Sequence, residues 1–339
     1  MRGEGGGQDF CGDDPAVADM TGDALAGHEL ILRLHAVSYA APDIRLFEFR
    51  AEDGAPLPAF APGAHIDIHL PGNMVRQYSL ACPAGDGLAY RVGIKRENGG
   101  RGGSRYLFDQ ARVGDLFRIG GPRNHFPLER TKAHSILIAG GIGVTPIRCM
   151  AEQLAAQGLP FELHYAVATR ASTAFLSALQ GFAPSLHLHV DDERGAVLDI
   201  PAIVATAPSD SHFYCCGPAP MLDAFVKATA HLAPERVHLE YFSAPALAPA
   251  EGGFTVVLAR SGKEFYVAQD QTILQTLREA GMTTTSSCEQ GVCGACETRV
   301  IEGEPDHRDM LLTAEERAAN ETMMICCSGS RTARLVLDL

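Results

Sequence analysis

The sequence contains no tryptophan, and aromatic residues make up only 7% of it. No apolar run reaches the length of about 18 residues that a membrane-crossing helix needs. Basic residues are scarce too: 28 Lys and Arg face 41 Asp and Glu, a formal net charge of −13. That balance excludes the phosphate-neutralising surface of a nucleic-acid binder and suits a chain steered toward a basic partner. Ten cysteines in 339 residues are too few and too unevenly spread for a secreted disulfide scaffold, so a reducing compartment is expected. Residues 1–27 carry glycines and acids where a signal peptide needs a positive start and an apolar run. The expectation is a soluble, cytoplasmic protein with a disordered start over 1–27, and no membrane or nucleic-acid partner. Internal repeats are absent, and the length allows two or three domains of about 100 to 200 residues each.

The cysteines that are present concentrate near the C-terminus. Ser287 to Arg299 reads S-C-E-Q-G-V-C-G-A-C-E-T-R, which places Cys288, Cys293 and Cys296 in the C-x4-C-x2-C spacing of a plant-type 2Fe-2S loop. A fourth thiolate is available from the adjacent pair Cys326 and Cys327. Three ligands from one loop require a tight turn around the cluster, and Gly291 and Gly294 permit it by adopting positive φ. Zinc is the competing reading, but it favours two C-x2-C pairs, and neighbouring side chains such as Cys326 and Cys327 diverge. Spacing alone does not choose between those two.

From His28 to about Leu128, short alternating runs broken by Pro and Gly (ELILRLHAV, DIRLFEFR, AHIDIHL, RQYSLA, LAYRVGIKR, DLFRIGG) predict an antiparallel barrel or sandwich. Within it stands Arg76-Gln77-Tyr78-Ser79, followed by Arg101-Gly102-Gly103-Ser104 opening a short helix. Glycines before a helix expose free amides to a phosphate, and Arg76 can add a guanidinium clamp. From His134 the pattern becomes strand, glycine turn, helix. Ser135 to Ala139 feeds Gly140-Gly141-Ile142-Gly143-Val144-Thr145-Pro146, and Ile147 to Gly158 has helical periodicity ending in a glycine stop. Pro146 occupies the third glycine position of G-x-G-x-x-G, which argues against an ordinary Rossmann dehydrogenase. A strand at Phe161 to Val167 leads to Ala168-Thr169-Arg170 with no acidic ribose hook, and Arg170 can tolerate a 2′-phosphate. A further strand, His212 to Cys216, runs into Gly217-Pro218 and Met221. Ala- and Pro-rich residues 243–253 read as a linker. Strands at Phe254 to Arg260 and Glu264 to Ala268 and a helix at Thr272 to Ala280 follow.

Three motif groups agree in chain order with one family. Ser287 to Leu339, with G-E-P-D-H-R-D-M at Gly303 to Met310, resembles the ferredoxin domain of the phthalate dioxygenase reductase and vanillate demethylase reductase family. Its M-x-C-x-S pattern puts the fourth ligand on Cys326 and leaves Cys327 a spectator. The resemblance implies three domains: an antiparallel flavin barrel at 28–130, an α/β parallel-sheet NAD(P) domain at 131–242, and after the linker an α+β β-grasp ferredoxin domain at 254–339. It implies that Arg76 and Arg101 to Ser104 hold the phosphate of FMN, that Tyr78 packs on the isoalloxazine, and that Ser79 lies near N5. Lys95, Thr145 and Phe242 join the cofactor contacts. Gly141, Gly143, Arg170, Cys216, Gly217 and Pro218 receive the nicotinamide nucleotide, NADH before NADPH, with Cys216 lining the hydride path. The implied activity passes electrons from NADH through FMN and a 2Fe-2S cluster to a Rieske-type oxygenase, from a monomer. Two other readings stand beside it: a reductase for a haem or di-iron monooxygenase, and a non-catalytic iron-sulfur carrier or sensor.

Overall fold

A computed structural model describes residues 29–72, 74–82, 85, 87–242 and 253–339. The tail expected at 1–27 and, apart from Gly253, the linker expected at 243–253 lie outside them. The described chain forms one six-stranded sheet, two five-stranded sheets and a two-stranded ribbon.

The first sheet comprises β1 (Glu29–Ala41), β2 (Ile44–Ala51), β3 (Ala64–Leu70), β4 (Met74–Ser79), β5 (Tyr90–Lys95) and β6 (Leu116–Asn124), in the order β4-β3-β6-β1-β2-β5. All its pairings are antiparallel, and a bridge between Leu80 and Val92 joins the two ends of the sheet. The result is the barrel rather than the sandwich. Strand alternation explains its inside: Ile66, Ile68 and Leu70 of β3 join Leu32, Leu34, Phe47, Phe49 and Ile94 in one core. Each such side chain contributes about 1.5–3 kcal/mol on burial. The opposite face of β3 carries His65 and Asp67, yet both are buried. Something outside the barrel covers them.

The second sheet is parallel and ordered β11-β10-β7-β8-β9, from β7 (Ser135–Gly140), β8 (Phe161–Val167), β9 (Leu186–Val190), β10 (His212–Cys216) and β11 (Val237–Glu240). Strand β7 is fully buried, as a parallel strand covered on both faces should be. Leu137 and Ala139 pack toward the helix Val144–Gln157. Ile136 and Ile138 pack toward the helices Ile200–Thr206 and Ala219–Thr229. The first of these helices begins at Val144, three residues before the periodicity suggests. Pro146 falls in its first turn, where its missing N–H has no intrahelical partner to lose, and Gly158 ends it at φ 65°.

The third sheet is mixed. It uses β12 (Phe254–Leu258), β13 (Glu264–Val267), β14 (Glu297–Glu302), β16 (Thr322–Met324) and β18 (Arg334–Leu337), ordered β13-β12-β18-β14-β16, while β15 (Pro305–Asp306) pairs with β17 (Gly329–Ser330). Helix Ile273–Glu279 lays Ile273, Leu274 and Leu277 against the core of this sheet. Thr272 and Gln275 close its start as a reciprocal capping box, the Thr272 hydroxyl accepting from the Gln275 amide and the Gln275 side chain from that of Thr272. This is the β-grasp arrangement. Among the described residues no helix is long and apolar enough to cross a membrane.

Candidate functional site

A cavity of about 610 Å³ opens where the three sheets meet. The barrel lines it with Arg76, Tyr78, Ser79, Lys95, Arg101 and Ser104, the parallel sheet with Thr145, Glu240 and Phe242, and the β-grasp domain with Cys288, Gln290 and Val292. Eight residues singled out from sequence for cofactor contact therefore border one space, with an expected cluster ligand beside them.

One end of this cavity is built to attract an anion. The Arg76 guanidinium donates to the Val75 carbonyl at 2.8 Å and to the Arg101 carbonyl at 3.0 Å, which lays it across the start of the helix Gly103–Asp109. A Cβ at Gly103 would stand 2.5 Å from Arg76 Cγ, so only glycine lets the side chain pass. Gly102, at φ 89°, turns the chain into the helix. Burial, and after it the neighbouring charge of Arg101, hold the Arg76 guanidinium below its ordinary value. A phosphate would relieve this like-charge crowding. The residues fit a flavin phosphate on that ground.

A second group lies on the wall shared by barrel and parallel sheet. The Ser79 hydroxyl donates to Glu240 Oε2 at 3.3 Å, and Cys216 Sγ lies 3.8 Å from the same oxygen. Cys216 is fully buried and does not line the cavity. Glu240 stands between it and the space it was expected to border. Gly143 allows this packing, since a Cβ there would meet the Cys216 carbonyl at 2.2 Å. The two loops expected to hold the nucleotide, 140–143 and 216–218, thereby press together. Burial pushes the Glu240 carboxyl up to about 8, against a smaller opposing pull from Ser79 and Cys216. It thus holds a proton at neutral pH. From its ordinary value of 4.5 up to about 8, the folded chain binds more protons than the unfolded one, so stability falls as pH rises through that window. Glu240→Gln should remove this fall, and melting curves should show the variant gaining a few degrees on the parent near pH 8 and little near pH 5. Equal offsets at both pH values would refute a buried neutral carboxyl.

Arg170 lies apart from the cavity. It makes a bidentate pair with Glu193, Nε to Oε1 at 2.5 Å and Nη2 to Oε2 at 2.6 Å, leaving its side chain 60% exposed at the C-terminal end of β8.

The loop after residue 287 curls as its spacing predicts, with Glu289, Gly291 and Gly294 all at positive φ. Cys288, Cys293, Cys296 and Cys326 are buried free thiols. Backbone amides of Gln290 and Val292 donate to Cys288 Sγ at 3.3 and 3.4 Å, and the Cys288 amide donates to Cys293 Sγ at 3.4 Å. Hydrogen bonds with Cys293 and Cys326 pull the Cys288 thiol far down, and Cys326 is pushed up by the sulfurs of Cys288 and Cys296. Four converging sulfurs that share protons, fed by amides, fit an iron-sulfur cluster. Cys327 Sγ lies 3.8 Å from the Met324 carbonyl and from Ser328 Oγ. It also hydrogen-bonds Cys326 and lies 2.5 Å from where a Cβ on Gly291 of the loop would stand, so the structure brings both cysteines to the loop.

This loop is what covers β3. Ser287 donates to Asp67 Oδ1 at 3.1 Å, Arg123 donates to Asp67 Oδ2 at 2.6 Å, and His65 stacks on His125 with centroids 5.5 Å apart. His125 reaches the loop, for a Cβ on Gly294 would lie 3.4 Å from its Nε2. Sequence reasoning did not find His65, Asp67, His125 or Glu240. The one available signal was the polar half of A-H-I-D-I-H-L, whose buried partner lies some 220 residues away.

The barrel, the parallel sheet and the cysteine loop around one cavity define a flavin and iron-sulfur oxidoreductase. Residues 32–127 match the oxidoreductase FAD-binding domain, and residues 256–330 match the 2Fe-2S iron-sulfur cluster binding domain. The chain is 50% identical to the phenoxybenzoate dioxygenase subunit beta of Ectopseudomonas oleovorans, covering 91% of this chain and 97% of that one. It is 48% identical to the tetrachlorobenzoquinone reductase of Sphingobium chlorophenolicum, over 89% of this chain and 96% of that one. Among solved structures, phthalate dioxygenase reductase superposes with a TM-score of 0.71 at 37% identity, covering 92% of this chain and 98% of that one. An intact self-sufficient cytochrome P450 monooxygenase superposes at 0.82 with 41% identity, and this chain spans only 41% of its length. The chain belongs to the phthalate dioxygenase reductase family, the reductase components of oxygenase systems.

Proposed function

We infer that this chain takes hydride from NADH, or less favourably NADPH, and delivers single electrons to a Rieske-type oxygenase acting on an aromatic compound. It would do so as a soluble, cytoplasmic monomer. The observation that carries this reading is the single cavity bordered by Arg76 and Arg101, by Thr145 and Glu240, and by Cys288. When bound, the flavin turns a two-electron hydride into single electrons, and the cluster passes them on. The protein's part is placement. Arg76 and Arg101, with the amides at Gly102 to Ser104, would hold the phosphate of FMN, while Lys95 stands at the cavity edge paired to Glu97 at 2.9 Å. Tyr78 and Phe242 offer aromatic faces to the ring, and Ser79 with protonated Glu240 keeps a neutral hydrogen-bonding pair beside it. Cys288, Cys293, Cys296 and Cys326 are the proposed cluster ligands. Gly141, Gly143, Gly217 and Pro218 shape the cleft for the nucleotide, and Arg170 is available to it only by leaving Glu193. Plant-type clusters lie near −400 mV and Rieske centres at roughly −150 mV or above, a gap of about four decades in favour of transfer.

The family model is named for FAD, whereas the phosphate cradle at Gly102 and Gly103 favours FMN. Mass spectrometry of the heat-released flavin decides between them. Arg76→Ala should weaken flavin binding by about ten- to a hundredfold, the loss of one charge-assisted contact of about 1.5–3 kcal/mol. Its check is the flavin retained after dilution, and unchanged retention would remove Arg76 from the cradle. A second reading, a quinone or haem acceptor, draws on the likeness to the tetrachlorobenzoquinone reductase and the P450. Stopped-flow mixing of the NADH-reduced protein with a Rieske oxygenase from its own host separates them, since rapid reduction of the Rieske centre supports the first reading only.

A further inference from the structure

Outside the lining of the cavity, the parallel sheet carries a second group of metal-ligating side chains. Glu162 and His164 lie two apart on β8 and so share one face, and His187 of β9 pairs with His164 in parallel register. Their ligand atoms all lie within 4.8 Å of one another. Glu162 Oε2 is 3.2 Å from His164 Nε2 and 3.8 Å from His187 Nε2. The two imidazoles stack with centroids 4.7 Å apart. The other carboxylate oxygen, Oε1, faces His134 Nε2 at 3.6 Å, and that nitrogen is buried without a hydrogen-bond partner.

We propose that Glu162, His164 and His187 form a binding site for a divalent first-row transition ion, zinc being the best fit, with His134 steadying the free carboxylate oxygen. A tetrahedral zinc with bonds of about 2.1 Å separates its ligand atoms by about 3.4 Å, a spacing that the two contacts to Glu162 Oε2 bracket. Two imidazoles and one carboxylate suit zinc and its neighbours over magnesium or calcium, which prefer all-oxygen shells. His187 is 50% exposed and gives the ion a way in, with a fourth position left for water. His189, next along that face, is not part of the set because its Nε2 meets the Ala196 carbonyl at 2.8 Å. Since β9 is the last strand of its sheet, the ion would staple an edge strand to its neighbour. The loops 140–143 and 216–218 lie at the opposite, C-terminal ends of the strands, so hydride chemistry should not depend on it.

The test is equilibrium dialysis of the intact holoprotein against micromolar zinc chloride, with metal counted by mass spectrometry. The parent should bind one zinc per chain more than a His164→Ala/His187→Ala variant, at an affinity at least tenfold tighter than any zinc the variant retains. X-ray absorption at the zinc edge should show that ion in a shell of nitrogen and oxygen only. Flavin content and NADH-dependent ferricyanide reduction should be equal in both proteins. Should the double variant lose its flavin or fail to fold, His187→Gln at the exposed position serves in its place. Equal zinc in parent and variant, no zinc in the parent, or a sulfur-only shell would each overturn the proposal.

Discussion

Replacing Cys326 by serine should abolish the cluster signal in electron paramagnetic resonance of the reduced protein, while Cys327→Ser should retain it. The two residues are neighbours in sequence and in space, and they differ in the sulfurs they meet. Cys326 is buried and shares protons with Cys288 and Cys296, sulfurs contributed by the cluster loop. Cys327 hydrogen-bonds Cys326 alone of the four expected ligands and otherwise meets the Met324 carbonyl and the Ser328 hydroxyl, contacts that a serine can keep. A 2Fe-2S centre needs four ligands, so losing one should cost the whole signal, and cytochrome c reduction should fall with it. NADH-dependent ferricyanide reduction should persist in both variants, because hydride transfer takes place before the cluster. Loss of the signal in the Cys327 variant alone would reverse the assignment.

The second large effect concerns the route out. A chain ending at Gly252 should keep its flavin and reduce ferricyanide with NADH, yet support no oxygenase turnover, since it lacks all four thiolates. The cut has a local cost. His65 and Asp67 lose the cover that the cluster loop supplies, and Asp67 loses its Ser287 donor while keeping Arg123. An unpartnered group that becomes exposed regains water, so the barrel should survive. Full oxygenase turnover with the truncated chain would show that electrons leave from the flavin directly, and the proposed route would have to be given up.

What was legible from sequence follows the reach of the signal. Strands β8 and β10 coincide with Phe161 to Val167 and His212 to Cys216 as read, because short apolar runs bounded by turn residues declare themselves locally. The cluster loop was legible for the same reason, as one contiguous segment supplies three of its cysteines. The wall at Glu240 was not. Its carboxyl matters only because Ser79, 161 residues earlier, and Cys216, on the neighbouring strand, converge on it, and nothing in the segment around residue 240 encodes either partner. Cys216 was misplaced for a related reason: a motif locates the loop but not which side chain faces the space. The helix after Gly143 was read three residues short because the apolar period begins at Ile147, whereas Pro146 had already set the first turn.

Arg101 has two neighbours with separate loyalties. It borders the cradle that Arg76 completes, and it lies 3.8 Å from Glu289 of the cluster loop, which in turn meets Arg278 at 2.7 Å. An anion in the cradle and the docked loop therefore draw on the same guanidinium. Thermodynamic reciprocity then requires that any factor by which flavin occupancy alters docking of the cluster domain be returned as an equal factor in flavin affinity. Because the pair is well exposed, that factor is at most about fivefold and should shrink as salt is added. A partner protein that draws the loop away would thus change how firmly the flavin is held without touching it, and the rate of flavin loss becomes a gauge of where the cluster domain sits.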